Sequence, residues 1–114
     1  MELDINGKKY EMYFGLDFIE YLDNAYPMKQ NGVEIYGMGV VQAASYLQMR
    51  NPRVLLNLIK AATITSKGRP GESEIKKWIE GQGDLKGLFD DFLSALETAS
   101  VTKDAMEMAK NQAK

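Results

Sequence analysis

The sequence predicts an α+β fold that is mostly α, with an N-terminal β-hairpin packed on a bundle of about five to six helices. Three observations carry that expectation. Apolar residues alternate on either side of Asn6-Gly7. Beyond Gly15 the apolar spacing switches to the helical period. Apolar residues make up 45% of the 114-residue chain, enough for one core and too short a chain for two domains.

The hairpin is the most local signal. In Leu3-Asp4-Ile5-Asn6-Gly7-Lys8-Lys9-Tyr10-Glu11-Met12-Tyr13, Asn-Gly suits the two positive-φ positions of a type I′ turn. Strands are expected at about 2–5 and 9–13. An isolated hairpin is marginal in water, so its apolar face must rest on helices.

Leu16, Ile19, Leu22 and Tyr26 then repeat at helical spacing, and Pro27 stops the helix because its predecessor avoids the α region. Residues 28–36 contain a second Asn-Gly pair and read as a loop or a small hairpin. A second helix follows over about 38–49. Asn51-Pro52 supplies an N-cap and a first-turn proline for a third helix over about 52–65, the most apolar element and therefore central. A shorter helix over about 72–80 carries Ile75, Trp78 and Ile79. Asp84 caps a fifth helix, whose stripe is Leu85, Leu88, Phe89, Phe92, Leu93 and Leu96. These elements form one domain over residues 1–98. Residues 99–114 have a thin apolar face and read as a helical or frayed tail.

Composition removes whole classes of chemistry. The chain has no Cys and no His. Disulfides, thiolate nucleophiles and the commonest general base and metal ligand go with them. Neither a signal peptide nor an apolar run of the ~20 residues that span a bilayer is visible. Three weaker patterns also dissolve. Asp4-Ile5-Asn6-Gly7 starts like a calcium loop, but its glycine comes too early and no closing glutamate follows. Gly68-Arg69-Pro70-Gly71 precedes a helix, yet lacks P-loop or dinucleotide spacing. Asp90 and Asp91 are adjacent in a helix and point about 100° apart, so they do not share a substrate or a proton. The chain is expected to be no enzyme and to need no metal or cofactor.

Two charge patterns remain. No residue from Ile35 to Met49 is charged, although fifteen positions at the overall 26% would carry about four charges. Such a segment is either buried on both sides in its own domain or packed on a partner, since interface cores are depleted of charge. No acidic residue lies between Glu34 and Glu72, whereas Arg50, Arg53, Lys60, Lys67 and Arg69 do. Nucleic acid is one partner for such a patch. Pairing with the acidic first or fifth helix is favoured instead, because the whole chain is −2 and no aromatics interleave with the basic residues.

Taken in order, certain segments resemble a known family. They are Leu3 to Tyr10, Phe14-Gly15-Leu16-Asp17-Phe18-Ile19 with Leu22-Asp23, Tyr36-Gly37-Met38-Gly39, the apolar run Val54 to Thr63, Arg69-Pro70 before Glu74-Ile75 and Trp78-Ile79, and Leu88-Phe89-Asp90-Asp91-Phe92-Leu93. The order resembles the tail assembly chaperones of long-tailed phages and prophages of Gram-positive bacteria. The resemblance implies a non-enzymatic protein that multimerises and coats the tape measure protein in the host cytoplasm. It also implies absence from the mature virion, no nucleic-acid or membrane partner, and a short form whose longer, frameshifted counterpart recruits tail tube protein. The alternatives are a nucleic-acid-binding regulator using residues 50–69, or a structural tail or connector subunit.

For a partner or oligomer contact the sequence offers Met38, Val41, Ser45, Gln48, Met49, Arg50, Arg53, Met106 and Met108. Val41, Ser45 and Gln48 are expected on the outward face of the second helix, with Val40, Ala44 and Leu47 inward. Methionine repacks around varied shapes, as an adaptable apolar surface requires.

Overall fold

A computed structural model describes residues 1–112 of the chain. β1 (Glu2–Ile5) and β2 (Lys8–Glu11) form the antiparallel N-terminal hairpin. The helices are α1 (Leu16–Ala25), α2 (Met38–Gln48), α3 (Arg53–Ala62), α4 (Glu72–Glu80), α5 (Leu85–Thr98) and α6 (Lys103–Gln112). Between α1 and α2, β3 (Lys29–Gln30) and β4 (Val33–Glu34) make a second, very small hairpin. The fold is α+β and mostly α.

Both Asn-Gly pairs turn as their chemistry dictates. Asn6 and Gly7 take φ 56° and 84°, and Asn31 and Gly32 take 53° and 78°. The register pairs Leu3 with Tyr10 and Ile5 with Lys8. Leu3, Ile5, Tyr10 and Met12 are buried, so one face of the hairpin belongs to the helical core. Its polar edge is tied down as well. Lys8 Nζ and Tyr10 OH both donate to the Gly68 carbonyl, at 3.1 and 3.3 Å. β2 ends earlier than expected because the Tyr13 amide leaves the hairpin and donates to the Ala62 carbonyl of α3, at 3.0 Å.

The N-caps of α3 and α5 are local. Asn51 Oδ1 accepts from the Arg53 amide at 3.0 Å, and Asp84 Oδ1 from the Gly87 amide at 2.9 Å. α3 stops at Ala62 rather than 65. There the buried Thr63 hydroxyl turns back to donate to the Ile59 carbonyl at 2.7 Å. α1 buries Phe18 and Leu22, with Ile19 half-buried, while Leu16 is 75% exposed at the first turn. Leu16 matches the helical period, but Phe18, in edge contact with Phe14 at 5.1 Å, occupies the core side.

α2 is the hub. It packs against α1, α3, α5 and α6. Val40, Val41, Ala43, Ala44 and Leu47 are all buried, so the missing charges reflect burial within this chain. α6 extends this core. Met106 and Ala109 are 1% and 0% exposed on a helix that packs along α2 and α5. The buried Thr102 hydroxyl donates to the Leu96 carbonyl at 2.6 Å and fixes the α5–α6 turn. The thin apolar face seen in the sequence is a packed face, and residues 99–112 continue the core rather than trail from it. Residues 113 and 114 lie outside the described residues.

A candidate protein-binding surface

The nine residues singled out for partner contact do not form one patch. Val41 and Met106 sit in the core at 3% and 1% exposure, which corrects the expectation that Val41 faces outward. α2 is packed on by α1, α3, α5 and α6 together, so a helix read as a tail adds to the burial of the hub. Met38, Ser45 and Gln48 are half-buried. The Ser45 hydroxyl donates to the Val41 carbonyl at 3.1 Å, and Gln48 Oε1 is buried without a hydrogen-bond partner. Met49, Met108, Arg50 and Arg53 are exposed, with Met49 at 64% and Met108 at 47%.

Arg50 is committed to its own chain. Its guanidinium pairs with Asp90 at 2.9 Å, donates to the Lys86 carbonyl at 3.3 Å and lies 5.7 Å from the centre of the Phe89 ring. It also ends α2 in the left-handed region, φ 58°, where glycine is usual. Arg50 N–H donates to the Leu47 carbonyl and Asn51 N–H to the Tyr46 carbonyl, both at 3.0 Å. Pairing between the basic interval and the acidic fifth helix is therefore present inside the chain. Lys60 is likewise engaged by Glu72 at 2.6 Å. A dispersed, partly neutralised set of cations is a poor track for a phosphate backbone.

The exposed side of α3 offers a more continuous surface. α3 packs against α1 and α4, and a trough runs over it between them. Near the start of α3 it opens as a cavity of about 430 Å³, where Leu56 and Ile79 lie between Arg53, Lys76 and Glu80. A smaller hollow of about 270 Å³ adjoins it, lined by Tyr26, Tyr46, Arg53 and Asn57. At the far end, Lys60 spans the trough. Its ammonium pairs with Glu72 of α4 and lies 6.0 Å from the centre of the Tyr21 ring on α1. The rings of Tyr26 and Tyr46 lie 5.7 Å apart, and Asn57 Nδ2 donates to Tyr26 OH at 2.8 Å. Burial pushes the Tyr26 phenol above its ordinary value, against the opposing effect of the Asn57 hydrogen bond. The Glu72 hydrogen bond, then Tyr21, raises Lys60, and Lys60 in turn lowers Glu72.

Sequence reasoning missed Asp23 altogether. An acid on the first helix, it is 7% exposed and caps α2 from across the helix contact. Gly37 N–H donates to both carboxylate oxygens at 3.0 and 2.9 Å, and Gly39 N–H to Oδ1 at 3.0 Å. The available signal was that α2 begins Gly37-Met38-Gly39, with no side chain of its own to satisfy the first amides.

Among the described residues, no group of three or more His, Cys, Asp or Glu is placed to hold a metal ion. None of the described helices is long and apolar enough to cross a membrane. What the surface presents is tyrosine, arginine and half-covered aliphatic side chains, the composition of contacts between proteins. The family comparison agrees. Residues 2–110 match the family described as phage tail assembly chaperone protein, TAC. The chain belongs to the phage tail assembly chaperone family. That family acts through protein partners in tail assembly, and its chaperone role is the function of this chain at that level. No curated protein and no solved structure matches the chain.

Proposed function

We propose that this tail assembly chaperone binds and coats the tape measure protein in the host cytoplasm and leaves before the virion matures. It works as a homo-oligomer and without catalysis, and a longer frameshifted form brings in tail tube protein. The family match over nearly the whole chain is the observation that carries this reading. It is supported by the apolar side chains left in water on a chain with a well-filled core. Val33, Tyr36, Met49 and Met108 are 66%, 78%, 64% and 47% exposed. Of the residues singled out in the sequence, Met49, Arg53 and Met108 remain the candidate contacts, with Met38, Ser45 and Gln48 at the half-buried margin.

Co-expression tests the reading. The tape measure protein encoded beside this chaperone aggregates alone and stays soluble with it, in a complex that survives moderate salt because the contact is mainly apolar. A tape measure protein that aggregates equally with and without the chaperone removes the assignment. Recovery of the chaperone in stoichiometric amounts from purified particles favours a structural tail subunit instead.

A further inference from the structure

The basic interval from Arg50 to Arg69 is only partly answered inside the chain. Arg50 pairs with Asp90 of α5, and Lys60 with Glu72 of α4. Among the described residues Lys67 and Arg69 have no ion pair, and neither do Asp17 and Glu20 on the acidic α1. All four residues are exposed.

The two unanswered sets share one face. A hollow of about 240 Å³ lies between α1 and the segment after α3, with Asp17, Glu20 and Asn24 on one side and Ile64 and Thr65 on the other. Tyr21 borders it and also borders a neighbouring hollow of about 400 Å³, which reaches Thr63 and Arg69. Lys8, whose ammonium donates to the Gly68 carbonyl between Lys67 and Arg69, adds a third cation to the basic half. The face also carries apolar groups. Leu16, one helical turn before Glu20, is 75% exposed, and Tyr21 and Ile64 are half-buried.

A surface with adjoining acidic and basic halves is complementary to itself. Turned about a two-fold axis near Tyr21, the acids of one copy meet the bases of the other, and the junction is made twice. A partner of one sign, nucleic acid included, would meet like charge on one of the halves.

We propose that this face, Asp17 and Glu20 of α1 against Lys67 and Arg69 of the loop before α4, binds a second copy of the chain. This deepens the homo-oligomer reading above and rests on it. Exposed ion pairs contribute little singly, so the charges set partner and register while Leu16 and Ile64 supply apolar area.

Two double variants at these exposed positions test it: Asp17→Lys with Glu20→Lys, and Lys67→Glu with Arg69→Glu. Sedimentation equilibrium of the full chain at low salt reads self-association, with circular dichroism confirming that each variant is folded. Each double variant alone sets like charges against each other at both junctions and associates about tenfold more weakly than the wild type, or worse. An equimolar mixture of the two restores opposite charges at both junctions and recovers association, as does one chain carrying all four substitutions. Undiminished association in either double variant overturns the proposal, and so does a loss that neither the mixture nor the combined variant recovers. A wild type that stays monomeric up to near-millimolar concentration overturns it together with the homo-oligomer reading. Should the charge reversals behave as expected while the wild type fails to keep the tape measure protein soluble, the self-contact stands and the named client falls.

Discussion

The carboxylate of Asp23, near the end of α1, accepts a hydrogen bond from the amide of Gly39 in the first turn of α2, at 3.0 Å. The contact is possible because α2 comes very close there. A Cβ on Gly39 would lie 2.4 Å from the carbonyl carbon and oxygen of Leu22. One residue supplies the cap and the other the room for it.

Asp23→Ala leaves the half-buried Gly37 amide and the buried Gly39 amide without an acceptor, and is expected to cost about 1–3 kcal/mol. Gly39→Ala is expected to cost at least as much, because backbone rather than a flexible side chain must yield. Urea denaturation checks both. An unchanged midpoint in Gly39→Ala would show that the two helices separate freely.

Val41 and Met49 lie two turns apart on the uncharged stretch and should respond in opposite ways. Val41→Glu puts a carboxylate in a site 3% exposed, costs several kcal/mol, and is expected to unfold the domain. Met49→Glu is on a side chain 64% exposed and should shift stability by about 0.5 kcal/mol or less. Thermal melts of the two variants separate burial in the chain's own core from burial against a partner.

That contrast shows where the sequence was legible. Asn6-Gly7, Asn51-Pro52 and Asp84 are local devices, each acting within three residues, and each is where its chemistry places it. The stripe on α5 is buried at Leu88, Phe89, Phe92 and Leu96, because one period dominates it. What could not be read is set by partners far along the chain. An uncharged helix looks the same whether α6 or another protein covers it. Asp23 looks like any solvated acid on α1 until Gly39, sixteen residues on, is brought against it. The trough over α3 is less legible still. It is formed by what α1 and α4 leave uncovered, and no single segment encodes that.

Arg50 offers a test of backbone strain against side-chain contact. Its left-handed conformation costs about 1 kcal/mol relative to glycine. Its exposed pair with Asp90 and its place over Phe89 return a similar amount. Arg50→Gly is therefore expected to be close to neutral, while Arg50→Ala keeps the strain, loses the contacts, and is the less stable of the two. Equal stability for the two variants would mean that the left-handed residue carries no strain.

The alkaline limb of stability should be steeper than exposed side chains alone would make it. Tyr26 is raised above 10.0 mainly by burial, and Lys60 above 10.5 mainly by its hydrogen bond to Glu72. Both hold their protons more tightly folded than unfolded. Their contribution is complete below those ordinary values and is lost as pH rises through the folded ones. Glu72 has the opposite sign, so its contribution is lost as pH falls through its lowered value. Being exposed, it should be weak and salt-sensitive. Melting temperatures from pH 8 to 12 should fall less steeply in Tyr26→Phe than in the wild type.

Met106 and Met108 are two residues apart on α6, and they give the sharpest test of whether that helix belongs to the domain. Met106 is 1% exposed and Met108 is 47% exposed. If α6 packs along α2, Met106→Ala opens a cavity beside the hub helix and costs about 2–5 kcal/mol, while Met108→Ala stays within about 0.5. The Thr102 hydroxyl bond to Leu96 predicts the same dependence at the turn, with Thr102→Val costing about 1–3 kcal/mol for the buried carbonyl it orphans. Hydrogen exchange then distinguishes a docked helix from one that frays. The Met106 amide, which donates to the Thr102 carbonyl at 3.0 Å, should exchange with the slow core amides of α2. Fast exchange there, together with mild effects from Met106→Ala, would return residues 99–112 to the status of a tail and expose the α6-facing side of α2 to a partner.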